Sequence, residues 1–263
     1  MNKSSEDQYL DKLENILKNG YKDEGRNGVT IKLPNQIVDV NLWDGFPILT
    51  TKKVFFKTAM KEMLWMFRDQ SNDVTLLQNQ NVHIWDKWVD ENNTIGKSYG
   101  YQVNKGGQFD RLLKSLKETP QDRRMIVNLW NAEELDEMTL PPCVCTTYWD
   151  VTDGKLNCLM MQRSTDVLVG MVTDLIEYAF LDLALAAYAG LKPGILTHVS
   201  NNSHIYCNQQ EGLDELLKRE VSTDYQTCKV TINKKDDFYD YTVDDFSIEG
   251  YEPQGKIYFP VTE

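Results

Sequence analysis

A cysteine directly after two prolines, Pro141-Pro142-Cys143, is the best-placed nucleophile in this chain. The prolines fix the backbone and disfavour a helix on the N-terminal side, so the sulfur is held in an extended or turn position. A lone cysteine is more often an inert small hydrophobe, and chemistry requires company. Arginines at 26, 123, 124 and 163 would supply it if the fold gathers them around a phosphate. Their planar guanidinium forks bind phosphate in a bidentate way, and their charge would depress the thiol pKa and raise its thiolate fraction. Arg123-Arg124 also fits a solvated surface pair, since strand neighbours point to opposite faces. Glu62 lies beside the apolar face of a predicted helix.

The elements that must position these groups are partly legible. Tyr9, Leu10, Leu13, Ile16 and Leu17 recur at helical spacing within Glu6–Asn19, and Gly20 is the natural stop. A Gly25-Arg26-Asn27-Gly28 turn follows, and the partial alternation of Val29–Val40 predicts a strand pair. Lys57–Phe67 carries Met60, Met63, Leu64 and Phe67 on one helical face. Trp85 and Trp88 become neighbours if their segment is helical. Arg124–Trp130, Cys143–Val151 and Leu156–Gln162 read as strands, and Thr173–Ala189 is the longest helical pattern, ended by Gly190-Leu191-Lys192-Pro193-Gly194. The mixture predicts an α+β fold with a sheet layer covered by helices.

Composition bounds the function. The 263 residues are 41% hydrophobic and 26% charged, enough to bury roughly three quarters of the unfolded surface. No linker or charge block divides them, which predicts one domain over 1–263. A formal net charge of -12 argues against a nucleic-acid surface, whose affinity comes from clustered Lys and Arg. An anionic ligand would need a local basic pocket. The N-terminus is polar, and the most apolar segment, Ala179–Leu191, is short and carries Asp182, so no membrane partner is expected. Five cysteines (143, 145, 158, 207, 228) form an odd set without metal-finger spacing, which predicts reduced thiols, a cytoplasmic location and no metal. His83 and His198 have no nameable partner, and Cys145 in Cys-x-Cys is a weak metal signal.

Eight stretches, spread in order through the chain, resemble the thymidylate synthase family. They are Asp44–Lys53 (DGFPILTTKK), Lys61–Trp65, Ile84–Trp88, Asp122–Arg124, Leu140–Cys143, Gln162–Val167, His204–Tyr206 and Ile248–Pro253. The resemblance implies a large mixed β-sheet covered by helices, with one sheet face used for homodimerisation. It implies catalysis by Cys143, Glu62, Asp174 and Tyr99, with Glu62 moving protons through water. A pyrimidine nucleotide would be held by Arg26, Gln162, Arg163, Ser164, Asp166, Asp174, His204 and Tyr206, with Arg123 and Arg124 donated from the other protomer. Ile84, Trp85, Trp88, Asp166, Val169, Gly170 and the Pro260–Glu263 ending, with Val261, would frame 5,10-methylenetetrahydrofolate as co-substrate.

Two departures bear on the substrate. Asp174 stands where the family usually has asparagine, and Val144 where it usually has histidine. An amide offers a donor and an acceptor, matching N3–H and O4 of uracil; a carboxylate offers mainly acceptors, matching the exocyclic amine of cytosine. The T-even phage deoxycytidylate hydroxymethylases are similar at this position. The sequence reading therefore favours dCMP, and hydroxymethylation, since Thr173 and Asn202 add polar groups that could position a water. It leaves open a dCMP methyltransferase, an ordinary dUMP methylase and a non-catalytic nucleotide- or folate-binding regulator. A viral source acting in host cytoplasm would follow from the dCMP reading.

Overall fold

A computed structural model describes residues 3–222 and 228–262; Met1, Asn2 and Glu263, which belong to the two termini read above, lie outside the described residues. Helix α1 (Ser5–Asn19) opens on a capping box in which Ser4 Oγ accepts from the Asp7 N–H and the Asp7 carboxylate accepts from the Ser4 N–H. It buries Tyr9, Leu13 and Ile16 and stops at Gly20. Strands β1 (Tyr21–Gly25) and β2 (Gly28–Asn41) form a hairpin about Arg26-Asn27. The predicted strand pair within 29–40 is thus one long strand, and its partner precedes the turn. Gly28, at φ 115°, lets the chain reverse within two residues.

Next come α2 (Phe56–Phe67), α3 (Thr75–Gln78), α4 (Gly100–Asn104), α5 (Gln108–Glu118), β3 (Ile126–Asn128), β4 (Val144–Thr152), β5 (Lys155–Gln162) and β6 (Thr165–Asp166). They are followed by α6 (Gly170–Ala189), β7 (Lys192–Tyr206), α7 (Gln210–Leu216) and a small hairpin of β8 (Lys229–Ile232) with β9 (Phe246–Glu249). Trp85 caps and Trp88 ends a 3₁₀ turn (Asp86–Trp88) rather than lying on an α-helix, yet their rings still meet at 5.9 Å. The main sheet runs β1-β2-β7-β5-β4-β3, with β6 beside β7. Its β5–β7 and β6–β7 pairings are parallel and the others antiparallel, so the sheet is mixed. Helix α6 is buried along nearly its whole length and packs against α2 and β7, as a helix apolar on all sides must.

Strand β7 was hidden in the sequence because several of its buried positions are polar: His198, Ser200 and Ser203. The opposite sheet face carries an apolar row, in which register aligns Ile37 with Val199 and Val199 with Met161, while Tyr148 faces Ile126. Ile37, Met161, Tyr148 and Ile126 are all exposed.

Glu6 ties α1 to the segment leading into α2. Its buried carboxylate receives the N–H and hydroxyl donors of both Thr50 and Thr51, at 2.7 to 2.9 Å. Glu6→Ala would strand those donors in the core, and is expected to lower unfolding stability by about 3 kcal/mol. The check is a lower denaturant midpoint at unchanged slope.

Candidate active site

Cys143 lies one residue before β4, and three groups hold it. Its N–H donates to Tyr99 Oη at 3.1 Å. Its carbonyl accepts from the Arg163 N–H at 3.0 Å. The Arg163 guanidinium donates to the Pro142 and Pro141 carbonyls at 3.0 and 2.8 Å and approaches Cys143 Sγ at 4.0 Å, while stacking over Trp130. Tyr99 caps α4 at φ 39°, a left-handed backbone conformation that costs a non-glycine residue on the order of 1–3 kcal/mol and marks functional sites. The next residue must be Gly100, because a Cβ there would run into the backbone of Ser71.

The thiol differs from the sequence expectation. Burial raises its pKa, Asp174 raises it further, and Arg163 and Tyr99 only partly oppose them. One arginine is close, not a cluster, and desolvation of the thiolate outweighs it.

Asp174, in the first turns of α6, ends a buried hydrogen-bond chain. Gln162 Nε2 donates to Asp174 Oδ2, and Gln162 Oε1 accepts from His198 Nε2, both at 2.5 Å. Burial pushes the His198 pKa down to about 4, so the ring is neutral and its one proton sits on Nε2. His198, left without a partner by sequence reading, thus orients Gln162. Burial, and then Glu62, push the Asp174 carboxyl up to about 7 against the opposing Gln162 bond. The premise that this side chain offers mainly acceptors therefore holds only above neutrality; below it the neutral acid carries a donor as well.

Glu62, on α2, is buried, and its Oε1 accepts from Trp85 Nε1 at 2.7 Å. Burial raises its pKa as expected of an acid–base group, with bonds from Glu177 and Trp85 opposing. Trp85 packs its ring edgewise on Tyr99 at 5.2 Å. Glu177 was missed; its spacing of three from Asp174 on a helix was the available signal.

Ser164, His204 and Tyr206 gather beside this centre. His204 Nδ1 faces Ser164 Oγ at 3.5 Å and Asn202 Oδ1 at 3.1 Å, and its ring meets Tyr206 at 5.0 Å. Burial lowers the His204 pKa to about 4. Arg26 is exposed at the β1–β2 turn, and its charge acts on Tyr206. Asp166 is tied to the backbone N–H groups of Leu168 and Val169 and to Gln209, which also donates to the Pro260 carbonyl at 3.2 Å, so the C-terminal segment docks next to it. Lys52, another residue sequence reading missed, donates to the Leu168 carbonyl and lies over Phe259. Ile84 and Val261 present exposed apolar surface, Trp88 and Val169 are half-buried, and Gly170 opens α6 with Asp174 and Thr165 as its neighbours. Thr173 spends its hydroxyl proton on its own helix, donating to the Val169 carbonyl at 3.2 Å. Asn202 Oδ1 is likewise engaged with His204 Nδ1.

Two predicted residues do not join the cluster. Arg123 and Arg124 are exposed, and Met125 beside them pairs with Trp149 near the far end of β4. Trp149 is five residue steps along the strand from Val144, roughly 17 Å. Within one protomer Arg124 pairs with Asp122 instead. Among the described residues no group of three or more His, Cys, Asp or Glu is arranged to hold a metal ion, and no helix is long and apolar enough to cross a membrane.

Comparison with known proteins finds relatives in both sequence and fold. The thymidylate synthase family model matches residues 7–263. A thymidylate synthase of Clostridium beijerinckii (strain ATCC 51743 / NCIMB 8052) is 51% identical over 259 residues, covering 98% of each chain. The solved structure of thermostable thymidylate synthase A from Bacillus subtilis superposes with a TM-score of 0.92 at 35% identity, covering 99% of this chain and 100% of that one. The chain belongs to the thymidylate synthase family.

Proposed function

We propose that the chain, acting as one catalytic domain, methylates C5 of dUMP with 5,10-methylenetetrahydrofolate to give thymidylate and dihydrofolate. This replaces dCMP hydroxymethylation, which the sequence alone favoured. The Asp174 carboxyl is compatible with that base, since near neutrality its protonated form offers the donor and acceptor that an amide would offer uracil. What carries the choice over dCMP is the likeness to a thymidylate synthase 51% identical over 98% of both chains.

In this reading Cys143 Sγ adds to C6 of the ring, which pushes electron density onto C5 and makes it nucleophilic. Glu62 protonates the leaving amine and removes the C5 proton. Asp174, steadied by Gln162 and His198, holds the C4 edge. Arg163, Ser164 and Arg26 take the phosphate, and His204 and Tyr206 the sugar hydroxyl. The bound folate supplies the methylene and the hydride. Trp85, Ile84, Trp88, Val169, Gly170 and Val261 give it an apolar bed beside Asp166. The exposed row of Ile37, Met161 and Tyr148 suits a homodimer interface, and a partner packed there would bring its Arg123 and Arg124 to the neighbouring phosphate.

A second reading, dCMP as substrate with a methyl or hydroxymethyl product, is favoured by the ionised form of Asp174, which accepts from an amine. Release of tritium from C5 of each labelled nucleotide, with mass analysis of the product, separates the two. Release from neither nucleotide would remove the enzymatic reading.

The dimer arrangement has its own test. Arg123→Gln with Arg124→Gln is expected to raise the nucleotide KM about tenfold or more, since a phosphate loses charge-assisted bonds. Mixing that variant in equal amount with Cys143→Ser should restore, at nucleotide concentrations well below the variant's KM, roughly a quarter of wild-type activity, because half of the dimers are mixed and each mixed dimer holds one intact site of two. No recovery after subunit exchange would place the arginines in their own chain's site or outside any site.

A further inference from the structure

Glu177 is an acid with no assigned task, set against the group that moves protons. It follows Asp174 by one helical turn on α6 and is 3% exposed. Its carboxyl is in hydrogen-bond contact with Glu62, and its Oε1 has no partner. Two carboxylates cannot bond to each other, since both are acceptors; a carboxyl–carboxyl contact needs a proton between them. Among the described residues, the groups acting on the pair are acids and hydrogen-bonding aromatics: Trp85 donates to Glu62 from the segment after α3, Asp174 and Tyr178 flank Glu177 on α6, and Tyr99 lies close enough to feel the Glu62 charge from the start of α4. The charges acting on Glu177, those of Glu62 and Asp174, are both acidic.

We propose that Glu177 is a positioning residue acting through Glu62: it holds a proton against the Glu62 carboxylate, so that the two side chains work as one pair carrying a single proton and a single negative charge. The inference rests on the catalytic reading above. When Glu62 protonates the leaving amine, the Glu177 proton passes to it, and both carboxyls are briefly ionised. When the C5 proton is then taken up, the pair returns to its starting state. One proton leaves and one arrives, so no outside acid is consumed. Shared between two oxygens, the proton is available for donation while a charge remains to accept the next one.

Glu177→Gln tests this, because glutamine keeps the shape and an N–H donor toward Glu62 but has no proton to give. The expected result is a fall in kcat of about tenfold or more with nucleotide KM within about threefold, and loss of the alkaline limb of the kcat profile that belongs to the second deprotonation of the pair. Infrared spectra of the folded wild type at neutral pH should show a protonated-carboxyl band that Glu177→Gln removes. An unchanged kcat and pH profile in the variant would overturn the proposal, as would kcat and KM worsening together at an unchanged profile, or a wild type without that band. If Glu177→Gln does not fold, the infrared comparison is made with Glu177→Ala. If wild type releases tritium from neither nucleotide, the catalytic reading falls while the band still decides whether the pair shares a proton.

Discussion

Cys143→Ser is expected to reduce turnover by roughly four orders of magnitude, equivalent to about 5 kcal/mol of lost transition-state stabilisation. A serine hydroxyl in the same turn would keep the bonds that Tyr99 and Arg163 make to the backbone and to the two proline carbonyls, so the pocket should survive. What is lost is an ionisable nucleophile. The thiol is held up by burial and by Asp174, and a hydroxyl, far less acidic, has no neighbouring base that would deprotonate it. The check is paired: nucleotide binding by calorimetry within a few-fold of wild type, and C5 tritium release close to background. Appreciable tritium release by the variant would mean that another group adds to C6.

Asp174→Asn should move substrate preference toward dUMP by about a hundredfold and make that preference independent of pH. The sign follows from the carboxyl near pH 7. Below that pH the wild-type side chain is neutral, and its O–H donates to O4 of uracil while its other oxygen accepts. Above it the side chain accepts only, which favours an exocyclic amine and opposes a carbonyl. In wild type the dCMP-to-dUMP ratio of kcat/KM is therefore expected to rise as pH increases through about 7. An amide has no proton to lose, so the variant's ratio should stay flat. The same substitution removes a negative neighbour from Cys143 and should ease thiolate formation. The ratio cancels the active fraction of each preparation. A flat wild-type profile, or an Asp174→Asn ratio equal to wild type, would sink the role given to this carboxyl.

Much of the site was readable before any coordinates, for a chemical reason. Cys143 behind two prolines, Arg163 beside Ser164, and Glu62 on an apolar helix are residue types whose chemistry is local, and the order of motifs around them carried the family. Helical elements were equally legible: α1 and α2 repeat their apolar residues at the helical period, and α6 is a long apolar run closed by Gly190. Strand β7 was not, because it buries His198, Ser200 and Ser203 where an alternating apolar pattern would have announced it.

The sequence by itself determined which functional groups this protein owns: a thiol, a set of acids, a set of arginines and the fold family that arranges them. Only the tertiary structure decided their states. Asp174 reads as a carboxylate in one dimension, yet burial beside Glu62 brings its titration to neutrality. Cys143 reads as activated by arginines, yet one is close and desolvation prevails. His198 and Glu177, given no role by the sequence reading, become the partners of Gln162 and Glu62. Protonation is set by distance, dielectric and hydrogen-bond partner, and residues far apart in the chain acquire these only when β5, β7, α2 and α6 pack together.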